Sequence, residues 1–290
     1  MGRKVSLYPD HQAGLWVVER PAERPLPIVF DCPHSGHDYP ADFGSCQPLE
    51  ALRPAEDALV ESLVARAPDY GITVIRALFP RSYVDVNRAE DDLDPELIEG
   101  EWPAPLRPGP KSELGIGLIR RWVVPGVPIY DRKLEVAEVQ ARIEGYWRPY
   151  RARLRTLVDE LVERHGRCVY LQWHSMKSVG NAATPDGPGA RRPDVVLGDR
   201  RSTTARPRLT GRLRNLFGDQ GFRVRVNVPY AGADLLRVIG DPAHHVDAVQ
   251  IELNRALFID EDSVVRNRRY DETKARIEGV IEALAARPLP

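Results

Sequence analysis

Residues 135–174 run EVAEVQARIEGYWRPYRARLRTLVDELVERHGRCVYLQWH. Val136, Val139, Ile143, Trp147, Tyr150, Leu154, Leu157, Leu161 and Val162 recur at the spacing of one helix face, which predicts a helix over Glu135–His165. Pro149 has no amide hydrogen and crowds the preceding turn, so a kink or two abutting helices is expected there. Gly166 is a natural stop. The apolar run Cys168–Trp173 then predicts a strand that ends at His174.

The same alternation extends outward in both directions. Leu26–Asp31 reads as a strand that stops at Pro33, and Ala55–Ala67 as a helix with Leu59, Val60, Leu63 and Val64 on one face. Ile72–Ala77 is a β-branched run, and Tyr83–Asn87 alternates like a further strand. Glu90–Lys111 is rich in Pro, Asp and Glu, an irregular excursion of the kind that often carries function. After a Gly/Pro/Arg-rich loop at Gly180–Pro193 come a short strand Val195–Leu197, a helix Pro207–Phe217 and a strand Arg223–Val228 that stops at Pro229. A strand Ala248–Leu253 and a closing helix Thr273–Ala286 complete the pattern. Strands alternating with helices predict an α/β fold, with a largely parallel or mixed sheet covered on both faces. No composition shift marks a boundary, so residues 1–290 are expected to form a single domain.

Composition narrows the function classes. The chain is 42% hydrophobic and 29% charged, with a formal net charge of -1, so no global pull toward nucleic acid or an anionic membrane is expected. Its arginines alternate with acids along the predicted helices, as on a solvated surface. Three widely spaced cysteines, Cys32, Cys46 and Cys168, form neither a disulfide framework nor a CxxC pair. Met1 to Asp10 has no apolar signal core, and no run approaches the ~18 apolar residues of a membrane span. These features predict a cytoplasmic protein.

In open α/β sheets ligands bind beyond the carboxyl ends of the strands. That rule selects His34, His174, Glu252 and Asn254, together with Asn87 and Arg88. Each also has a plain structural reading. His34 precedes Ser35-Gly36 and could be a turn residue. His37 would give His-x-x-His, a weak spacing by itself. His244-His245 reads as an exposed loop. Glu252 on a buried strand needs a partner, and Arg255 would supply a structural ion pair. Asp85 could be a functional acid or could orient Arg88.

Pro33-His34-Ser35-Gly36, Glu56-Asp57, Pro80 to Arg88 (PRSYVDVNR), His174-Ser175-Met176, Leu197-Gly198-Asp199, Pro229-Tyr230-Ala231-Gly232 and Gln250 to Leu257 (QIELNRAL) resemble, in order, the motifs of the N-formylglutamate amidohydrolase family. The resemblance implies a zinc carboxypeptidase-like fold, a mixed, mostly parallel twisted sheet with helices on both faces. It implies one zinc ion held by His34, His174 and an acidic ligand, Asp57 with Glu56 as the alternate. Asp57 is expected in the first turn of its helix, pointing inward with Val60 and Val64. Two histidines and a carboxylate leave a position open for water. Glu252 would be the general base and later the acid, and Arg81 would stabilise the oxyanion. Asn87 and Arg88 would bind the substrate carboxylate, Arg88 through a two-pronged pair. Tyr230 and Gly232 would belong to the substrate loop.

The implied reaction is hydrolysis of the amide of an N-formyl or other N-acyl amino acid such as N-formylglutamate, releasing formate and the amino acid. A carboxypeptidase-like hydrolase of larger acyl-amino acids or peptides, and a non-catalytic binder on the same fold, are the competing readings. The chain departs from the family pattern at three places. Gln172-Trp173 replaces Asp-Cys, Arg151 replaces a His, and Ala233-Asp234 closes the substrate loop. Asp234 against the substrate would repel an acidic side chain.

Overall fold

The computed structural model describes residues 9–287. Most of the N-terminal segment read above, residues 1–8, lies outside the described residues. Eight strands form one sheet: β1 (His11–Gln12), β2 (Trp16–Glu19), β3 (Ile28–Cys32), β4 (Thr73–Ala77), β5 (Cys168–Met176), β6 (Val195–Gly198), β7 (Val224–Val226) and β8 (Val246–Asn254). Their spatial order is β1-β2-β4-β3-β5-β8-β6-β7. The centre, β4-β3-β5-β8, is parallel. β2 joins β4, and β6 joins β8, in antiparallel pairs. The expected mixed, mostly parallel α/β sheet is therefore present. The first two strands were not anticipated, because only Trp16 and Val18 of β2 face the core and the run is short.

β5 and β8 are buried along their full nine-residue lengths, and their side chains alternate between the two faces. One face carries Cys168 and Tyr170 of β5 and Ala248 of β8. It is covered by the helices α1 (Val136–Arg142) and α2 (Arg148–His165), whose Val139, Tyr150, Leu154 and Leu157 enter the same cluster. The other face carries Val169, Leu171, Trp173, Val249, Ile251 and Leu253 under α3 (Pro207–Asp219) and α5 (Tyr270–Ala285). A short helix, α4 (Asp234–Ile239), lies on the first face beside β8.

Three local expectations change. The kink at Pro149 is replaced by a π-helical turn, Ile143–Trp147, in which Arg148 N–H bonds Ile143 O. The wider turn ends just before Pro149, which falls in the first turn of α2. The helix read over Ala55–Ala67 is broken into a 3-10 turn Arg53–Ala55, a four-residue helix Val60–Leu63 and a 3-10 turn Ala67–Tyr70. Leu59, in the left-handed region at φ 66°, interrupts it, and Asp57 N–H is taken by His34 O at 2.9 Å. Tyr83–Asn87 is not a strand. Residues 82–87 are all buried, so their alternation marks no solvent face, and the backbone bonds run to turns and to Leu118 O.

Candidate active site

On the sheet face that bears the long helix, polar residues take over from apolar ones toward the carboxyl ends of β5 and β8. His174 is in register with Glu252 on the neighbouring strand, and Gln172 with Gln250. His34 lies just beyond β3, in a turn whose Gly36 passes so close to Leu78 and Phe79 that a Cβ would sit 2.4 Å from their backbone. These elements open onto a cleft of about 410 Å³, within the usual range for small-molecule sites.

Three donor atoms converge at its floor. His34 Nδ1 lies 3.1 Å from His174 Nδ1. Asp57 Oδ2 lies 2.9 Å from His174 Nδ1 and 3.4 Å from His34 Nδ1. All three residues are at most 3% exposed. A tetrahedral zinc with bonds of about 2.0–2.1 Å separates its ligand atoms by roughly 3.3 Å, so the spacing fits one ion. Asp57 arrives by the loop before Leu59, not by the expected helical turn. Glu56 points elsewhere, to Tyr39 and Arg53. His37 is exposed and turned to Ser35 O at 3.4 Å, outside the group.

Surrounding residues fix how these donors point. Asp85 accepts from His34 Nε2 at 2.7 Å and from Arg81 Nη2 at 2.7 Å. Burial alone would raise the Asp85 carboxyl, but the Arg81 guanidinium and the bonded His34 ring hold it well below the carboxylate range. An ionised Asp85 can only accept, so the ring proton of His34 sits on Nε2 and Nδ1 presents a lone pair to the centre. Asp85 therefore orients His34 and Arg81, and not Arg88. Asp57 follows the same logic: burial raises it, and its close contacts with His174 and His34 outweigh that and bring it well below the usual value. Its other oxygen takes Ser175 Oγ at 3.0 Å and Arg255 at 3.2 Å.

Glu252 lines the same cleft. Burial raises its carboxyl, the nearby His174 charge lowers it, Asp57 raises it and Arg81 lowers it, with a net upward shift. Gln250 Nε2 donates to its Oε1 at 2.8 Å. The suggested ion pair with Arg255 is not formed, since that guanidinium is spent on Asp57, Ser175, Pro54 O and Glu56 O. Asn87 is buried, with its Oδ1 accepting from Leu235 N–H and its Nδ2 near Gln172 Oε1 and His174 Nε2, at 3.2 and 3.3 Å. Arg88, Tyr230 and Gly232 all line the cleft. Gly232 holds φ 112°, a conformation that favours glycine.

The N-formylglutamate amidohydrolase family profile matches residues 26–259. The chain belongs to the N-formylglutamate amidohydrolase family. It is similar to an N-formylglutamate deformylase of Pseudomonas putida, 28% identical over 90% of this chain and 93% of that protein. The N-formylglutamate deformylase of Pseudomonas aeruginosa is 29% identical over the same shares. The crystal structure of an N-formylglutamate amidohydrolase from Ralstonia eutropha JMP134 superposes with a TM-score of 0.88 at 39% identity, covering 94% of this chain and 98% of that one.

Within the N-formylglutamate amidohydrolase family pattern, the departures of this chain now have a structural account. Gln172 bridges Asn87 and Asp31, with its Nε2 3.4 Å from Asp31 Oδ2. Asp31 is itself held by the hydroxyls of Tyr150 and Tyr170. Arg151 donates to Val86 O and Arg88 O and pairs with Asp234 at 2.8 Å. Arg237 takes the other Asp234 oxygen at 2.7 Å. Asp234 is thus neutralised and does not line the cleft, which removes the expected repulsion of an acidic substrate. The sequence reading missed Lys111, Arg120 and Arg192 as cleft residues. Only Lys111 carried a signal, at the end of the loop marked for function.

Proposed function

We propose that this chain is a zinc-dependent amidohydrolase that removes the formyl group from an N-formyl amino acid, N-formylglutamate first among them, giving formate and the free amino acid. One observation carries this reading: His34 Nδ1, Asp57 Oδ2 and His174 Nδ1 meet at one point of a cleft that also holds Glu252. The names of the Pseudomonas and Ralstonia relatives supply the substrate class. A divalent cation held by the three donors would polarise the amide carbonyl and acidify water.

The chain's own residues then divide the work. Glu252 takes the proton of the attacking water and returns it to the leaving nitrogen. Arg81, fixed by Asp85, presents its remaining N–H groups to the oxygen that gains charge. Arg88 takes the α-carboxylate of the substrate. Asn87, with its amide committed to Leu235 and Gln172, closes one wall beside the His174 ring. Tyr230 and Gly232 close the other. In this reading the protein acts as a single metallohydrolase domain, in the cytoplasm, on a small molecule and without nucleic acid. Among the described residues no helix is long and apolar enough to cross a membrane.

The test is metal analysis of the purified protein followed by a formate-release screen over N-formyl amino acids. About one equivalent of zinc and formate release from N-formylglutamate are expected. A metal-free protein that stays inert when zinc is added would sink the proposal.

Arg88 gives a sharper expectation. Its Nη1 bonds Asn87 O at 3.0 Å and its Nε lies 3.5 Å from Ile116 O, which aims the guanidinium into the cleft. Arg88→Lys keeps the charge and loses the fork, so kcat/KM for N-formyl amino acids should fall about tenfold or more. The corresponding α-amides should lose much less. An equal loss on acid and amide would exclude Arg88 as the carboxylate anchor.

A further inference from the structure

The cleft holds more positive charge than the proposed reaction uses. Arg81, Arg192 and Arg255 each have a carboxylate, from Asp85, Asp186 and Asp57, at 2.7, 2.9 and 3.2 Å. Arg88, Lys111 and Arg120 line the same cleft and have no carboxylate within ion-pair distance among the described residues. Backbone carbonyls hold them. Lys111 Nζ donates to Ala183 O at 2.9 Å, and Arg120 to Trp122 O and Val123 O at 3.3 and 3.1 Å. Neutral carbonyls position a buried cation without neutralising it.

The three form one patch. Arg88 reaches Ile116 O, and Ile116 is bridged to Arg120 across a short turn. Lys111 spans to Ala183 in the loop opposite. Burial, and then the neighbouring arginines, push the Lys111 ammonium down to about 8 and the Arg120 guanidinium to about 9. Like charges gathered in a partly dry wall are costly until an anion arrives. One α-carboxylate satisfies one guanidinium fork, that of Arg88. Lys111 and Arg120 are left over.

We propose that Lys111 and Arg120 form a second anion subsite, which binds the side-chain carboxylate of a dicarboxylic N-acyl amino acid and selects it over neutral ones. The subsite rests on the hydrolase reading above for its place in a reaction. Its chemistry requires a substrate with two carboxylates, one for Arg88 and one for this pair.

The experiment compares the zinc-loaded wild type with Lys111→Gln and Arg120→Gln on N-formylglutamate and its neutral isostere N-formylglutamine. Each variant should lower the ratio of the two kcat/KM values about 10- to 100-fold, the usual effect of losing a charged hydrogen bond. Calorimetry with glutarate and its monoamide reads the same preference without turnover. Glutarate should bind the wild type more tightly than the monoamide, and the variants should lose the difference. Arg120 is buried and its variant is read only if its melting curve stays cooperative, whereas half-buried Lys111 tolerates exchange. An unchanged ratio in Lys111→Gln, or a wild type that treats glutarate and its monoamide alike, overturns the subsite. Formate release from both substrates with no preference overturns it and leaves the hydrolase standing. Selective glutarate binding, lost in Lys111→Gln, with no formate from either substrate, overturns the hydrolase and supports the subsite.

Discussion

Glu252→Gln is expected to lower the rate of formate release by about 100-fold or more while the zinc content stays at that of the wild type. Glu252 stands in register with His174 on the adjoining strand and lines the cleft, but it is not one of the three converging donors. The substitution keeps the shape and removes only the proton acceptor. A purely structural role for Glu252 makes the opposite forecast, in which stability falls and turnover per folded molecule survives. The contacts weigh against that role. Its neighbour Arg255 is bound to Asp57 and backbone carbonyls, so no ion pair is broken by the exchange. Gln250, which donates to Glu252, can donate equally to a glutamine oxygen. The melting temperature should therefore move little. Zinc content, melting temperature and kcat measured on one preparation decide the matter. A stable, zinc-loaded and fully active variant would leave the reaction without its base.

Strand periodicity explains why Glu252 could be read from sequence. Val249, Ile251 and Leu253 enter the apolar cluster of one face, so the residues between them must face the other way. The same logic places His174 beside Tyr170 and Gln172. The long helix was legible because nine apolar positions obey one period, and the π turn inside it left that face intact. Where periodicity lacked a solvent side it misled. Residues 82–87 are buried all round and form turns, and Val60, Leu63 and Val64 are buried without a continuous helix beneath them. Asp57 was placed beside the right partners on the wrong element, since a loop can present a carboxylate as well as a helix can. Asp85 was tied to Arg88 by proximity in sequence, whereas its partners are His34 and Arg81. The cations Lys111, Arg120 and Arg192 come from segments with no regular pattern, so nothing local marks them as neighbours. Asp234 looked like a charge in the pocket, but its neutralisation depends on Arg151, 83 positions away.

His174→Ala and His34→Ala are expected to abolish stoichiometric zinc binding, and activity with it. Each removes one of three donors from a site where the described residues supply no fourth. The effect should be on the metal more than on the fold. Asp57, the carboxylate left behind, keeps Arg255 at 3.2 Å, Ser175 at 3.0 Å and Arg81 at 3.9 Å, so its buried charge remains paired. The imidazoles themselves contribute a ring contact at 4.7 Å, whose loss costs packing but leaves the two apolar clusters on either side of the sheet untouched. Zinc should raise the melting temperature of the wild type by binding the folded state alone, and should leave both variants where they were. Asp85→Asn is the graded control. It leaves all three donors but weakens the hold on the His34 ring, so zinc affinity should fall by roughly 10- to 100-fold without vanishing. His37→Ala, exposed and outside the cluster, should behave as wild type. Metal analysis after dialysis against a weak chelator reads all four. If both histidine variants keep a full equivalent of zinc, the ion is held elsewhere and the convergence of His34, Asp57 and His174 is a hydrogen-bonded triad with no metal role.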